Sequence, residues 1–244
     1  MDEAGYEVWK SKELSSKYLT GIRGAIPFAA EQLEILTRVV DGCAAPLRKM
    51  LDLGCGDGIL AAAVRDSHPE IAAVLVDFSE TMIEAARKRL GTAPGMLEFL
   101  TLDYSDKSWI DRVSALGPFD LVVSGFSIHH QPDERKKTLY REIFDLLVPG
   151  GLFLNLEHVL SASEFGRRLF NEQFIDSLYG LHVRQDPSTT REKVADEYYH
   201  REDKAANILA PVEVQCRWLS DIGFRDVDCF FRVFELALFG GRKP

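Results

Sequence analysis

No segment of this 244-residue chain approaches the run of about 18 apolar residues that a membrane-spanning helix needs. No membrane partner is therefore expected. Cysteine is scarce. Cys43, Cys55, Cys216 and Cys229 lie far apart and none forms a C-x-x-C pair, which excludes a disulfide framework and a thiolate zinc site. Positive charge is in deficit: 29 basic residues stand against 38 acidic ones, a formal net charge of −9. A phosphate backbone is bound through a basic footprint, so nucleic acid is not expected as the partner. The basic triplets Arg87-Lys88-Arg89 and Arg135-Lys136-Lys137 sit beside acidic neighbours in helical stretches and read as solvated helix faces. The start, Met1-Asp2-Glu3, has no basic-then-apolar leader pattern. No internal repeat is visible. The expectation is an acidic cytoplasmic chain with reduced thiols. Its 46% apolar and 27% charged residues are ordinary for a globular protein.

What is present is an alternation of helical and extended patterns, the mark of an α/β fold with a largely parallel sheet. Phe28, Leu33, Leu36 and Val40 recur at helical spacing. Lys49 to Leu53 reads as a strand entering a glycine loop, and Ile59 to Asp66 as the helix after it. Further strands are expected at Ala72 to Val76, Met96 to Leu102, Phe119 to Ser124 and Leu152 to Glu157. Helices are expected at Ser79 to Leu90, with Gly91 past its end, and at Lys136 to Leu147, closed by Pro149-Gly150-Gly151. Ser161 to Ala210 holds no convincing strand and reads as a helical insertion rich in aromatic residues. A helix from Pro211 to Ile222 and two extended aromatic stretches, an antiparallel pair, end the chain.

The loop Asp52-Leu53-Gly54-Cys55-Gly56-Asp57-Gly58 follows an apolar strand and opens a helix. Its glycines permit positive φ and a close ligand approach at the carboxyl end of a strand, where open α/β sheets bind nucleotides. The dinucleotide fingerprint needs a glycine at residue 59, which is Ile59. Asp77 follows the second strand, where a carboxylate can accept both hydroxyls of a ribose. Asp103, followed by Tyr104, ends the third strand, where a carboxylate could accept an adenine amino group.

LDLGCGDGIL (51–60), LVDFSETMIEAARKRL (75–90), LTLDYSD (100–106), FDLVVSGFSIHHQPD (119–133) and LLVPGGLFLNLEH (146–158) resemble the successive motifs of class I S-adenosylmethionine-dependent methyltransferases. The resemblance implies a Rossmann-like methyltransferase fold. Its seven-stranded, mostly parallel sheet would have an antiparallel last strand and a helical insertion after the fifth. A single domain over 1–244 would divide into a helical cap (1–45), a cofactor-binding core (46–160), a substrate lid (161–210) and a last helix with its strand pair (211–244). S-adenosylmethionine would be the cofactor and S-adenosylhomocysteine its product. Gly54, Cys55 and Gly56 would bring backbone against the methionine part, with Asp52 near its amino group. Asp77 would hold the ribose, Phe78 and Met82 would pack on sugar and adenine, and Asp103 and Tyr104 would read the adenine edge. Ser124 and Phe126 would lie near the sulfonium. Arg23 would sit in a cap over the cofactor.

Methyl transfer from a sulfonium needs alignment first, and a base only where the acceptor must lose a proton. His129, Glu157 and His158 follow the fourth and fifth strands and are the candidates, with His130 beside them. Adjacent histidines rarely point the same way, so no metal site is expected. Tyr199, His200, Arg201 and Trp218 offer aromatic faces and a guanidinium to a small-molecule acceptor. The leading expectation is methyl transfer to a small molecule. The insertion also loosely resembles that of carboxy-S-adenosylmethionine synthases, which modify the cofactor itself. A non-catalytic cofactor-binding protein is the third reading. The oligomeric state is open, with a homodimer as one option.

Overall fold

The computed structural model describes residues 22–43 and 46–244, without the side chains at 22, 23, 202 and 205. The side chain of Arg23, and the part of the expected cap before residue 22, lie outside the described residues.

The described chain begins with a 3-10 turn, Ile22–Ala25, and α1, Ala29–Asp41. The strands are β1 (Lys49–Leu53), β2 (Ala72–Asp77), β3 (Leu97–Thr101), β4 (Phe119–Gly125), β5 (Leu147–His158), β6 (Arg225–Val233) and β7 (Leu236–Arg242). Between them lie α2 (Ile59–Ser67), α3 (Glu80–Leu90), α4 (Trp109–Ser114), α5 (Asp133–Leu146), α6 (Glu164–Gln185), α7 (Arg191–His200) and α8 (Val212–Ile222). The sheet order is β3-β2-β1-β4-β5-β7-β6. β1 to β5 pair in parallel, and β7 runs antiparallel to both β5 and β6. This is the seven-stranded arrangement expected from the sequence.

The central strands are apolar on both faces because helices cover both faces. Leu51, Leu53, Val74, Val76 and Val122 face one core with α5 and α8 residues such as Tyr140, Ile143 and Leu219. Met50, Ala73, Leu75, Leu121 and Val123 face the other, with Leu36, Ala61 and Ile83. The sheet order reverses between β1 and β4. The loops leaving these two strands part there and open a crevice, the usual ligand position in such sheets.

Two expectations differ from the structure. β5 starts at Leu147, not Leu152, and Pro149-Gly150-Gly151 lies inside it. The register with β4 shifts after the Phe119–Leu147 pair, and Gly150 takes φ +83°. Glycine reads as a helix stop here, but it also accommodates an irregularity within a strand. The Gly150 N–H donates to the Lys243 carbonyl, and the Lys243 N–H to that of Gly151, each at 2.8 Å, tying the segment to the end of the chain. α4 was not expected. It has six residues, too few for a periodic pattern, and is fixed by buried Trp109, whose Nε1 donates to Glu142 at 2.8 Å.

The segment after β5 is helical, as expected. Ser163 caps α6 by accepting from the Gly166 N–H at 3.1 Å, and Thr190 caps α7 by accepting from Lys193 at 3.3 Å. Phe170, Phe174, Ile175 and Leu178 form one helical stripe on α6. They pack with Val194, Tyr198, Ala25 and Leu236 into a small third core. The insertion is thereby fastened to both the amino-terminal turn and the last strand. No helix among the described residues is long and apolar enough to cross a membrane.

Candidate active site

A cavity of about 480 Å³ opens at the β1/β4 crevice, within the size range of small-molecule sites. One wall is the glycine loop with the end of β2, another is the loop after β4, and the insertion closes the far side. Gly24, Ile26, Ala29, Gln32 and Leu33 of the amino-terminal elements line it too.

The loop's backbone explains its glycines. Gly54, Gly56 and Gly58 all take positive φ, +68°, +52° and +74°. A Cβ on Gly54 would run into the Ser127 side chain, so the two loops meet as closely as backbone permits. Ser127 in turn hydrogen-bonds the Tyr104 hydroxyl at 2.6 Å. The Gly54 and Cys55 N–H groups donate to the Val76 carbonyl at 2.8 and 2.9 Å. Asp77 accepts from the N–H groups of Gly56 and Ser79, both at 2.9 Å. Burial nevertheless lifts its carboxyl to about 6, against the opposing effect of these N–H groups. Cys55 is buried among acidic residues, and burial first, then Asp77 and Asp52, pushes its thiol well up. It is an uncharged wall. Asp57 pairs with Arg89 of α3.

Buried Asp52, Asp57 and Asp77 make this end acidic, which suits a ligand carrying ammonium and sulfonium charges. A backbone cradle that a Cβ would fill, and a carboxylate at the end of β2 that accepts from the N–H groups of Gly56, Phe78 and Ser79 and retains acceptor capacity, fit a ribose-containing nucleotide with such charges.

The other end is aromatic and basic. Phe170 and Phe174 lie with ring centroids 5.8 Å apart, and Tyr198 stacks on Phe174 at 5.5 Å. The Arg201 guanidinium sits 5.0 Å from the Tyr198 ring and 5.9 Å from that of Phe174. It pairs with buried Asp203 at 3.4 Å, and its Nε is buried without a hydrogen-bond partner among the described residues.

Three histidines stand between these ends. His129 is clamped: its Nδ1 lies 2.5 Å from Glu157 Oε1, its backbone N–H donates to Glu157 Oε2 at 3.0 Å, and the Asn207 side chain also hydrogen-bonds it. Burial drives the His129 imidazole well below its usual range and lifts Glu157 to about 7. The His130 ring donates Nδ1–H to the Ala206 carbonyl at 3.1 Å, and burial lowers it to about 3. His158 pairs through Nε2 with Glu235 at 2.9 Å.

Of the residues expected from the sequence, Asp52, Gly54, Cys55, Gly56, Asp77, Phe78, Met82, Phe126, His129, His158 and Arg201 line the cavity. Others do not. Ser124 is fully buried and donates to the Leu53 carbonyl at 2.7 Å, a tie between strands. Glu157 lies beneath the surface and acts on His129. Asp103 accepts from the Ser105 N–H at 2.9 Å, and it and Tyr104 stand behind the wall. Tyr199 is 44% exposed and packs on Lys204. His200 points to solvent beside Asp196, and Trp218 packs under Lys137 on the far side of α5. The reason is helical geometry: Tyr198 and Tyr199 differ by about 100° around α7 and cannot both face inward. Sequence reasoning did not single out Gln32, Ser127, Asp203, Asn207 or Glu235. Ser127 could have been sought by its position in the loop after β4, whereas Gln32 lies within α1. Glu235 carries no motif.

A family model described as a methyltransferase domain matches residues 50–151. A carboxy-S-adenosyl-L-methionine synthase of Nautilia profundicola is 20% identical over 230 residues, covering 93% of this chain and 91% of that protein. A malonyl-[acyl-carrier protein] O-methyltransferase of Anoxybacillus flavithermus is 27% identical over 160 residues, 65% of this chain and 54% of its own length. Human N-acetylserotonin methyltransferase, solved with S-adenosylmethionine, shares the fold at a TM-score of 0.62 with 17% identity; the match covers 99% of this chain and 59% of the human one. Residues 50–151, from β1 and the glycine loop to the first part of β5, thus match a methyltransferase domain, and the chain is similar along most of its length to a carboxy-S-adenosyl-L-methionine synthase and in fold to a solved methyltransferase.

Proposed function

We propose that the chain transfers a methyl group from S-adenosylmethionine to a small-molecule acceptor. The observation that carries this reading is one cavity with two unlike ends, one acidic with a backbone cradle, the other aromatic with a half-buried guanidinium. S-adenosylmethionine brings an activated methyl group to that cavity. Backbone at Gly54, Cys55 and Gly56 holds its amino-acid part and Asp52 its ammonium. Asp77 accepts from the ribose, and Phe78 and Met82 cover the base. The three histidines and Phe126 lie between that end and the aromatic row, where an acceptor is held against the methyl group. Neutral imidazoles at His129 and His130 add no positive charge beside a sulfonium, which favours the bound cation. The test is calorimetry with S-adenosylhomocysteine and NAD. Binding of the sulfur nucleotide alone is expected, and binding of NAD alone sinks the reading.

A second reading has its own support. The Nautilia relative that matches almost the full chain is named as a carboxy-S-adenosyl-L-methionine synthase, and Arg201 lines the cavity with its guanidinium against the Tyr198 and Phe174 rings. A carboxylated cofactor would meet that guanidinium. Mass spectrometry of the nucleotide released from freshly purified, heat-denatured protein separates the two readings. A species heavier by a carboxyl group favours the second. S-adenosylmethionine or S-adenosylhomocysteine alone favours the first.

A further inference from the structure

His158 is the histidine of this site arranged to take a proton. His129 is held by Glu157 at Nδ1 and hydrogen-bonded by the Asn207 side chain, and burial drives its imidazole well below the usual range. His130 donates its Nδ1–H to the uncharged Ala206 carbonyl, and burial, which lowers its ring to about 3, makes its remaining lone pair a weak base. His158 lines the cavity, and Glu235, which takes its Nε2, does not. A carboxylate accepts only from a protonated nitrogen, so the pair sets the tautomer: Nε2 carries the hydrogen and Nδ1 the lone pair. No described group hydrogen-bonds that Nδ1.

The placing of Glu235 is an independent observation. It occupies the two-residue turn between β6 and β7, where Phe234 takes φ +53°. A bulky residue in that region is strained, and such strain persists where the surroundings over-determine it. The Glu235 carbonyl accepts from the Val159 N–H at 2.8 Å, which pins the turn against the end of β5. The side chain is 3% exposed, and Oε1 has no hydrogen bond among the described residues. A carboxyl group is thus buried at a cost to face one imidazole. On the cavity side, the His158 ring lies 5.4 Å from Phe170, the first ring of the Phe170–Phe174–Tyr198 row.

We infer that His158 is the base that deprotonates the acceptor, that Glu235 is its positioning residue, and that the acceptor is a phenol whose ring lies along that aromatic row. This rests on the methyl-transfer reading above. The phenol hydroxyl gives its proton to Nδ1. Its oxygen forms a bond to the methyl carbon as the carbon–sulfur bond breaks, and that bond's electron pair stays on sulfur, leaving the neutral thioether. The imidazolium returns its proton to water after the product leaves.

The experiment uses the full chain with S-adenosylmethionine and three probes: phenol, the much more acidic 4-nitrophenol, and aniline. Methylated product and S-adenosylhomocysteine are read by mass spectrometry. Wild-type protein is expected to methylate both phenols and not aniline. His158→Gln should lower kcat for phenol roughly a hundredfold, on the scale of general-base catalysis, with KM little changed. The loss should be much smaller for 4-nitrophenol at a pH where it is already ionised. Glu235→Gln should reproduce the pattern in weaker form, and Glu235→Asp should recover part of the rate. A misfolded or merely loosened site would lose both phenols equally. Calorimetric binding of S-adenosylhomocysteine by each variant shows that the site is intact. The inference is overturned if wild-type protein binds the cofactor yet methylates neither phenol, if aniline is an equal acceptor, or if the two phenols lose equally in His158→Gln. If wild-type protein binds neither S-adenosylmethionine nor its product, the methyl-transfer reading itself fails.

Discussion

Asp77 is the residue at which burial and function oppose each other. Its carboxyl is lifted to about 6 by burial, although the N–H groups of Ser79 and Gly56 pull the other way. Its folded value lies above the ordinary carboxyl value of 3.8, so the folded chain binds the extra proton between these values. Stability contributed by that proton is present at low pH and lost as pH rises through about 6. The ionised carboxylate is the form that accepts from ribose hydroxyls, so cofactor affinity has the opposite sense. Affinity for S-adenosylhomocysteine is expected to fall about tenfold one unit below the Asp77 value, because about one site in ten then remains ionised. Calorimetry across that range checks it. Asp77→Asn should bind weakly with a flat profile, and an unchanged profile in that variant would assign the titration to another group.

At the scale of elements, the lining of the cavity's acidic end was legible because it is local. The glycine loop, the acid after β2 and the strand before each lie within short stretches, and their spacing carries the chemistry. The acceptor half was legible only as composition. Tyr198, Tyr199, His200 and Arg201 are consecutive, and nothing short of the helix's rotation decides that Tyr198 and Arg201 turn inward while Tyr199 and His200 turn out. Glu157 reads as a strand-end acid, yet it lies underneath and holds His129. Glu235 meets His158 across 77 residues of sequence, a separation no local pattern encodes. Two element-level outcomes follow. Gly54→Ala should cost about 1–3 kcal/mol of stability through its positive φ alone, plus the collision with Ser127, and should displace the loop enough to remove cofactor binding. Urea denaturation and calorimetry read these separately. Lys136 is buried on α5 and donates to Asp133 at 2.8 Å and to the Ile208 carbonyl, where the chain leaves the insertion. Lys136→Met should cost about 1–3 kcal/mol and speed amide exchange in 202–210, with little change in affinity for S-adenosylhomocysteine. Unaltered exchange there would show that the exit is held by other contacts.

For the whole molecule, the two ends of the cavity come from chain regions that fold for different reasons. The acidic end is built on the central sheet, whose strands are buried on both faces. The aromatic end rests on the small third core, fastened through Ala25 and Leu236. Variants at the aromatic end should therefore change the acceptor's fate and spare the cofactor. Arg201 and Tyr199 make the sharper test, because they are neighbours in sequence and sit on opposite sides of the wall. Arg201 lines the cavity against Phe174 and Tyr198, whereas Tyr199 is 44% exposed and packs on Lys204. Arg201→Ala is expected to lower turnover at least tenfold, about 1.4 kcal/mol of transition-state stabilisation, with a smaller change in the cofactor dissociation constant. Tyr199→Ala loses only half-exposed packing, so its turnover should stay near wild type. The measurement is S-adenosylhomocysteine formation with the same acceptor for both variants, beside calorimetric cofactor binding. Equal losses in the two variants would mean that the insertion acts through its stability, and full turnover in Arg201→Ala would remove the guanidinium from the acceptor site.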